Sequence, residues 1–349
     1  MLVREDAPLE TLFLPFNSRR LSWPDEPVLF LRARAGLPLQ QPSFPGLLCE
    51  QTFKPDAHAL KRAGQAIASA EQANAERVYP LVVVLPPRQR DEARALLARA
   101  MTAVKPGGRV IACASNNEGA RSHEADLARL AGPVETLTKN KCRVFWTAPL
   151  ADIHDKGLLA EWRDLDAVRP IADGRFVSRP GVFAWDRIDV ASALLAEHLP
   201  EDLAGRAADL GAGFGYLSAE LLSRCPAINA LDLYEAEARA LDLARRNLAA
   251  FAERKQLTFH WHDVTEGLPR SYDVIVTNPP FHTGSREDRP DIGRRFIQVA
   301  SAALNRGGRL WLVANRHMPY ESVLNASFGT VRTVVQAHGF KIVEAVRTR

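Results

Sequence analysis

The chain has 349 residues, of which 46% are hydrophobic and 25% charged, with a formal net charge of +4. Single cores rarely grow past about 250–300 residues, so two domains are expected, and the composition is that of a soluble globular protein rather than a disordered or fibrous one. No apolar run reaches the ~20 residues that span a bilayer, the first ten residues lack the basic start and apolar core of a signal peptide, and the four cysteines (Cys49, Cys113, Cys142, Cys225) include no C-x-x-C pair; a cytoplasmic protein without membrane contact, disulfides or a metal site is expected.

Charge is uneven along the chain. Residues 1–150 carry 20 Lys and Arg against 15 Asp and Glu, and the remaining 199 carry 25 against 26. The excess permits contact with nucleic-acid phosphates. It equally describes a solubilising surface, and on charge alone that reading stands.

In chain order, the first clear element is a strand, Y-P-L-V-V-V-L-P-P-R over residues 79–88. A helical stretch follows over 91–104, with apolar positions at Ala93, Leu96, Leu97, Ala100 and Met101. K-P-G-G-R-V-I-A-C-A-S-N then turns into a second strand. The stretch 151–179 mixes charge, Asp and Pro with little periodicity and reads as a linker between a domain at 1–150 and one at 180–349.

The second half opens with A-A-D-L-G-A-G-F-G-Y-L-S, residues 207–218. Asp209 ends an apolar strand, Gly211, Gly213 and Gly215 follow, and a helix begins. The glycines allow a sharp turn and a ligand lying directly on the backbone. A dinucleotide loop is G-x-G-x-x-G, and Tyr216 stands where its third glycine would be. The G-x-G-x-G spacing after an acid suits S-adenosylmethionine instead. A second strand, I-N-A-L-D-L-Y-E, ends in Glu235, placed to accept both ribose hydroxyls. A helix over 238–250 leads to a third strand over 257–264 with Asp263 near its end, placed to accept from an adenine amine. Each acid alone also fits a helix N-cap, but acids ending successive strands of one sheet favour a nucleoside site at their carboxyl ends.

The fourth strand, V-I-V-T, runs into Asn278-Pro279-Pro280-Phe281. The prolines lack N–H groups and hold the backbone extended, so their carbonyls and the Asn oxygen are left as acceptors for an –NH2 group, and Phe281 offers a face for a flat ring. A plain strand-ending turn would explain Pro-Pro, not the tetrapeptide. A helix over 292–304 and N-R-G-G-R-L-W-L-V-A-N-R complete a pattern that repeats the first half. The paired prolines lie 193 residues apart and the paired glycines 200 apart, the difference being a seven-residue longer loop after Phe281. Two tandem Rossmann-like α/β domains, each a mostly parallel sheet with helices on both faces, are expected.

These residues resemble class I S-adenosylmethionine-dependent methyltransferases acting on exocyclic amines. More narrowly, R-P-G-V-F-A-W-D-R-I-D-V-A-S (residues 179–192), N-P-P-F-H-T-G, G-G-R-L-W-L-V-A-N-R-H-M-P-Y-E (307–321) and F-K-I-V-E-A-V-R resemble the bacterial ribosomal RNA guanine-N2 methyltransferases of the RsmC/RlmG type. The resemblance implies a catalytic C-terminal domain and an N-terminal copy that has lost the cofactor and serves folding and RNA handling. V-L-F-L-R-A-R-A-G (28–36), with no glycine loop, then looks like the first strand of that degenerate copy. It implies that Asp209, Gly211 and Gly213 contact the methionine end of the cofactor, Glu235 its ribose and Asp263 its adenine. Phe183 would cover the cofactor, and Asn278 to Phe281 would hold the target base in ribosomal RNA or a ribosomal subunit, most simply small-subunit 16S rRNA. Ala191 stands where the family often has Gly.

Other acceptors, namely a large-subunit rRNA guanine, adenine N6 and a protein glutamine amide, fit the same chemistry, and a non-catalytic RNA-binding assembly factor is the rival of another class. An oxidoreductase fails on the glycine spacing. Arg286, Arg289, Arg294 and Arg295 are candidates for phosphate contact, interspersed with Asp288 and Asp291. His282, Arg316 and Tyr320 are candidates for the pocket rim. His260 and His262 share a strand face without a third metal ligand. A monomer is expected.

Overall fold

The structure is a computed structural model describing residues 6–40, 44–280 and 290–348. It divides into two compact units, one ending at Ala167 and the other beginning at Val168. The first unit contains strands β1 (Val28–Leu31), β2 (Leu47–Glu50), β3 (Ala66–Ile67), β4 (Tyr79–Val84), β5 (Val104–Ser115), β6 (Val134–Lys139) and β7 (Cys142–Thr147). They form one sheet in the order β3-β2-β1-β4-β5-β7-β6. The pairs are parallel except where β7 meets β5 and β6.

The second unit begins with a short hairpin, β8 (Arg169–Ile171) and β9 (Phe176–Ser178). Its sheet is built from β10 (Gly205–Leu210), β11 (Ile228–Glu235), β12 (Gln256–Trp261), β13 (Tyr272–Thr277), β14 (Leu304–Asn315), β15 (Thr330–Ala337) and β16 (Phe340–Val346). The order is β12-β11-β10-β13-β14-β16-β15, the first order with every number raised by nine, and again only β16 runs against its neighbours. The two tandem, mostly parallel α/β units read from the sequence are present.

The repeated sequence features explain the repeated topology. The continuous apolar runs of β4 and β13 are buried because helices cover both faces of each sheet. The helix Arg90–Ala103 presents Ala93, Leu96, Leu97, Ala100 and Met101 to one core, and Pro290–Ala303 presents Phe296, Ile297, Val299 and Ala300 to another. Each such fully buried Leu or Phe contributes roughly 1.5–3 kcal/mol of transfer free energy. The paired glycines divide two tasks. Gly107 and Gly307 sit at φ +79 and +81, a left-handed conformation. A Cβ on Gly108 would lie 2.7 Å from the Pro80 carbonyl, and on Gly308 3.2 Å from that of Asp273, so the second glycine lets strands approach. The closing hairpins match as well: Asn140-Lys141 and His338-Gly339 all have positive φ, the two-residue turn that suits strand twist.

The stretch 151–179, read as a linker, is structured on both sides of the boundary. The helix Lys156–Arg163 buries Leu158, Leu159 and Trp162 in the core of the first unit, and the Arg94 and Arg129 guanidiniums lie 4.8 and 5.3 Å from the Trp162 ring centroid. The β8–β9 hairpin belongs to the second unit: Asn247 accepts from the Val177 N–H and donates to the carbonyls of Val177 and Phe214. An eight-residue helix and three-residue strands are too short to show as periodicity.

Candidate active site

The carboxyl ends of β10, β11, β12 and β13 lie side by side, because those four strands are consecutive neighbours in the sheet. Asp209 at the end of β10 is buried. Its Oδ2 accepts from the Ser218 hydroxyl at 2.6 Å, which ties the strand to the helix Tyr216–Arg224 beyond the glycine loop. Burial pushes the Asp209 carboxyl up to about 7, with the Glu235 charge adding to the rise and Ser218 opposing it.

The three loop glycines are not equivalent. All have positive φ. A Cβ on Gly213 would meet nothing within 4 Å, and one on Gly211 would only graze Phe296 at 3.6 Å. Their faces form an open cradle on which a ligand can rest. Gly215 differs: its missing Cβ points at Ala244 (3.2 Å) and Leu248 (3.4 Å), so this position admits the helix Ala238–Asn247. Spacing alone could not separate cradle from packing.

Glu235, ending β11, accepts from the Gly213 N–H at 2.8 Å on Oε2 and from the Glu237 N–H at 2.8 Å on Oε1. It therefore holds the loop and retains lone pairs on both oxygens. Burial raises its pKa, and the two backbone N–H groups oppose that. Asp263, just past β12, accepts from the Thr265 N–H and hydroxyl, both on Oδ1, capping the short turn Val264–Glu266. Trp261 donates to the Ala236 carbonyl at 2.8 Å and pins the end of β12 to the loop after β11.

On β13, Thr277 pairs with Leu210 and donates its hydroxyl to the Leu210 carbonyl at 2.7 Å. Asn278 thus stands beside Gly211, its carbonyl 4.0 Å from the Cβ position there. The Asn278 amide nitrogen donates to Asp189 Oδ2 at 3.0 Å and to Ser192 Oγ at 2.9 Å. Asp189 Oδ2 also accepts from the Ser192 N–H at 2.8 Å, capping the helix Val190–Glu197. Pro279 is buried and Pro280 half-buried. Phe281, His282, Arg286, Asp288 and Arg289 fall outside the described residues. Phe183 is 66% exposed, a rare position for Phe that leaves its ring available for contact. Asp189 and Ser192 escaped the sequence reading as site residues, although D-V-A-S announces a helix cap.

Arg295 donates to the Thr265 carbonyl at 2.8 Å and is a tie between helix and turn. Tyr320 is fully buried, with its hydroxyl in the space a Cβ on Gly293 would need, whereas Arg316 is exposed. His260 stacks on Tyr234 with centroids 4.4 Å apart, and His262 bonds the Gly267 carbonyl. No group of three or more metal-ligating side chains occurs among the described residues, and no helix among them is long and apolar enough to cross a membrane.

A seven-stranded sheet of this order, a glycine cradle, an acid after each of the next two strands and Asn-Pro-Pro after the fourth define a class I methyltransferase domain. The family profile for the methyltransferase small domain matches residues 173–344. A ribosomal RNA small subunit methyltransferase C from Pseudomonas paraeruginosa is 33% identical over 271 residues, 77% of this chain and 80% of the relative. One from Salmonella typhi is 31% identical over 264 residues, covering 75% and 74%. The chain belongs to the ribosomal RNA small subunit methyltransferase C family. Among solved structures, the T. thermophilus 16S rRNA N2 G1207 methyltransferase in complex with AdoMet and guanosine superposes with a TM-score of 0.80 at 25% identity, over 99% of this chain and 93% of that one.

The residues present fit S-adenosylmethionine. Gly211 and Gly213 offer the bare backbone it would lie on, Glu235 the acceptors for its ribose and Asp263 an acceptor for its adenine.

Proposed function

We propose that the second unit transfers a methyl group from S-adenosylmethionine to the exocyclic N2 amine of a guanine in 16S rRNA. The observation that carries this reading is the juxtaposition of Gly211 and Asn278 at paired strand ends, Leu210 opposite Thr277. A flat ring held at the Asn-Pro-Pro turn therefore presents its amine to whatever lies on the glycines.

The bound cofactor supplies a methyl already activated by the sulfonium. The chain's own residues orient and polarise the acceptor. The Asn278 Oδ1 accepts a hydrogen bond from one amine N–H, and a backbone carbonyl of the turn, held at a fixed angle by the prolines, accepts from the other. These bonds hold the nitrogen in line and draw its lone pair out of the ring. Asn278 does not titrate, so it positions rather than deprotonates, and the proton leaves to solvent after attack. Gly211 and Gly213 support the donor, and Glu235 fixes both the loop and the ribose.

Within the same proposal the first unit is a degenerate copy that supports folding and RNA contact, the enzyme acts as a cytoplasmic monomer, and its substrate is ribosomal RNA or an assembled small subunit. The test is methyl transfer to rRNA and subunits from a strain lacking the enzyme, followed by mass spectrometry of the nucleosides. N2-methylguanosine is the expected product. Methylated adenosine or a methylated protein glutamine would contradict the reading.

A further inference from the structure

We infer that Asp189 is a positioning residue that sets which way the Asn278 carboxamide faces, with Ser192 as its helper; this rests on the amine-acceptor reading of the site. A carboxamide has two nearly isosteric ends, one donating and one accepting. An incoming amine needs the accepting end. If the group flipped, it would present two N–H bonds to the amine's own N–H bonds and repel it.

The structure removes this ambiguity. Asp189 Oδ2 lies 3.0 Å from one end of the Asn278 amide and Ser192 Oγ lies 2.9 Å from the same end. An ionised carboxylate can only accept. The end facing Asp189 must therefore be –NH2, and Oδ1 faces the other way. The serine hydroxyl can donate or accept, so it follows whatever Asp189 dictates. Asp189 is itself held, because the same oxygen accepts from the Ser192 N–H at 2.8 Å as the cap of the helix Val190–Glu197. A cap of this kind needs only an acceptor one or two bonds from the backbone, and Ser, Thr and Asn serve as well. Reaching Asn278 at the same time needs the length of Asp.

The polarity of the catalytic amide is thus set by residues 86 and 89 positions away in the chain. They enter the site on the segment that also carries Phe183, the exposed ring at 66% accessibility.

The test is a set of variants assayed at pH 8.5 with the acceptor that the wild type methylates. Asp189→Ser keeps a capping oxygen and loses the reach. Its kcat is expected to fall at least about tenfold, with cofactor Kd within about twofold of wild type and thermal stability retained. Asn278→Asp sets a carboxylate against that of Asp189 and is expected to fall at least about a hundredfold; pairing it with Asp189→Ser removes the opposed charge and keeps a capping oxygen, so N278D/D189S recovers at least about tenfold over N278D alone. Wild-type turnover in D189S, or no recovery in the double variant, overturns the assignment. A wild type that methylates an amine other than guanine N2 leaves Asp189 in its role and displaces only the guanine assignment. A wild type that methylates no amine overturns both.

Discussion

Two copies of one topology keep the same packing and differ at the same few points. In the first unit Leu31 pairs with Glu50 and Val84, and in the second Leu210 pairs with Tyr234 and Thr277. That common register sets Phe30 against Asp209, Arg32 against Gly211, Arg34 against Gly213, Gln51 against Glu235 and Leu85 against Asn278. Each feature suited to the ligand has gone. Arg32 takes the left-handed conformation that Gly211 has, at φ 54, and pairs with Glu92 at 2.6 Å, while Arg34 forms an ion pair with Asp6 and donates one hydrogen bond to it at 2.9 Å. Gln51 copies part of the Glu235 arrangement, accepting from the N–H two residues on, but donates to the Ala33 carbonyl where Glu235 accepts from the Gly213 N–H. The glycine aligned with Gly215 persists as Gly36, where a Cβ would meet Leu9 at 2.5 Å. Residues that pack the fold survive in both halves; residues that under the proposed function serve only a ligand survive in one.

The largest expected effect sharpens that contrast at one aligned position. Leu85 is 4% exposed, so Leu85→Ala should cost about 2–5 kcal/mol of stability in urea unfolding and leave cofactor affinity unchanged. Asn278→Ala should do the reverse, losing transfer by at least about a hundredfold with little change in stability. Next, Glu235→Gln makes the second site resemble the first, and calorimetry should show cofactor binding weakened at least about tenfold, roughly 1.4 kcal/mol. Gln51→Glu should create no second site, because Arg32 and Arg34 still occupy the loop.

Among the glycines, Gly213→Ala should weaken cofactor binding more than it lowers the melting temperature, and Gly215→Ala should do the opposite by crowding Ala244. Equal effects at both would break the division between cradle and packing.

An effect on pH dependence concerns Asp209, whose carboxyl is pushed from 3.8 unfolded to about 7 folded. A group with the higher pKa in the folded state holds more protons there between those two values, so it makes stability fall as pH rises from about 4 to about 7. Asp209→Asn should flatten that slope in the second unit, and its stability relative to wild type should rise across the window. A slope unchanged in the variant would assign the burial cost to another group.

Much of this was legible in the sequence because it is local. The glycine loop, the acids closing β11 and β12 and the Asn-Pro-Pro turn each sit within a few residues, and the duplication shows in Pro86-Pro87 against Pro279-Pro280. What the sequence left hidden depends on sheet topology. Asp189 meets Asn278 only because the helix Val190–Glu197 lies near the end of β13, and no spacing rule encodes an approach across 89 residues. The different task of Gly215 follows from a helix that begins 23 residues later. The linker reading of 151–179 failed for the related reason that short elements gain their order from the core they join, as Trp162 does.

The proposed site has two separable roles, holding the donor on the glycines and aiming an amine at Asn278, and both belong to the second unit. Single-turnover methyl transfer by Asn278→Ala, run beside calorimetry on the same sample, tests that separation most directly. One cofactor bound per chain at wild-type affinity is expected, with transfer reduced at least about a hundredfold. Transfer at the wild-type rate, or a loss fully explained by weaker cofactor binding, would contradict it.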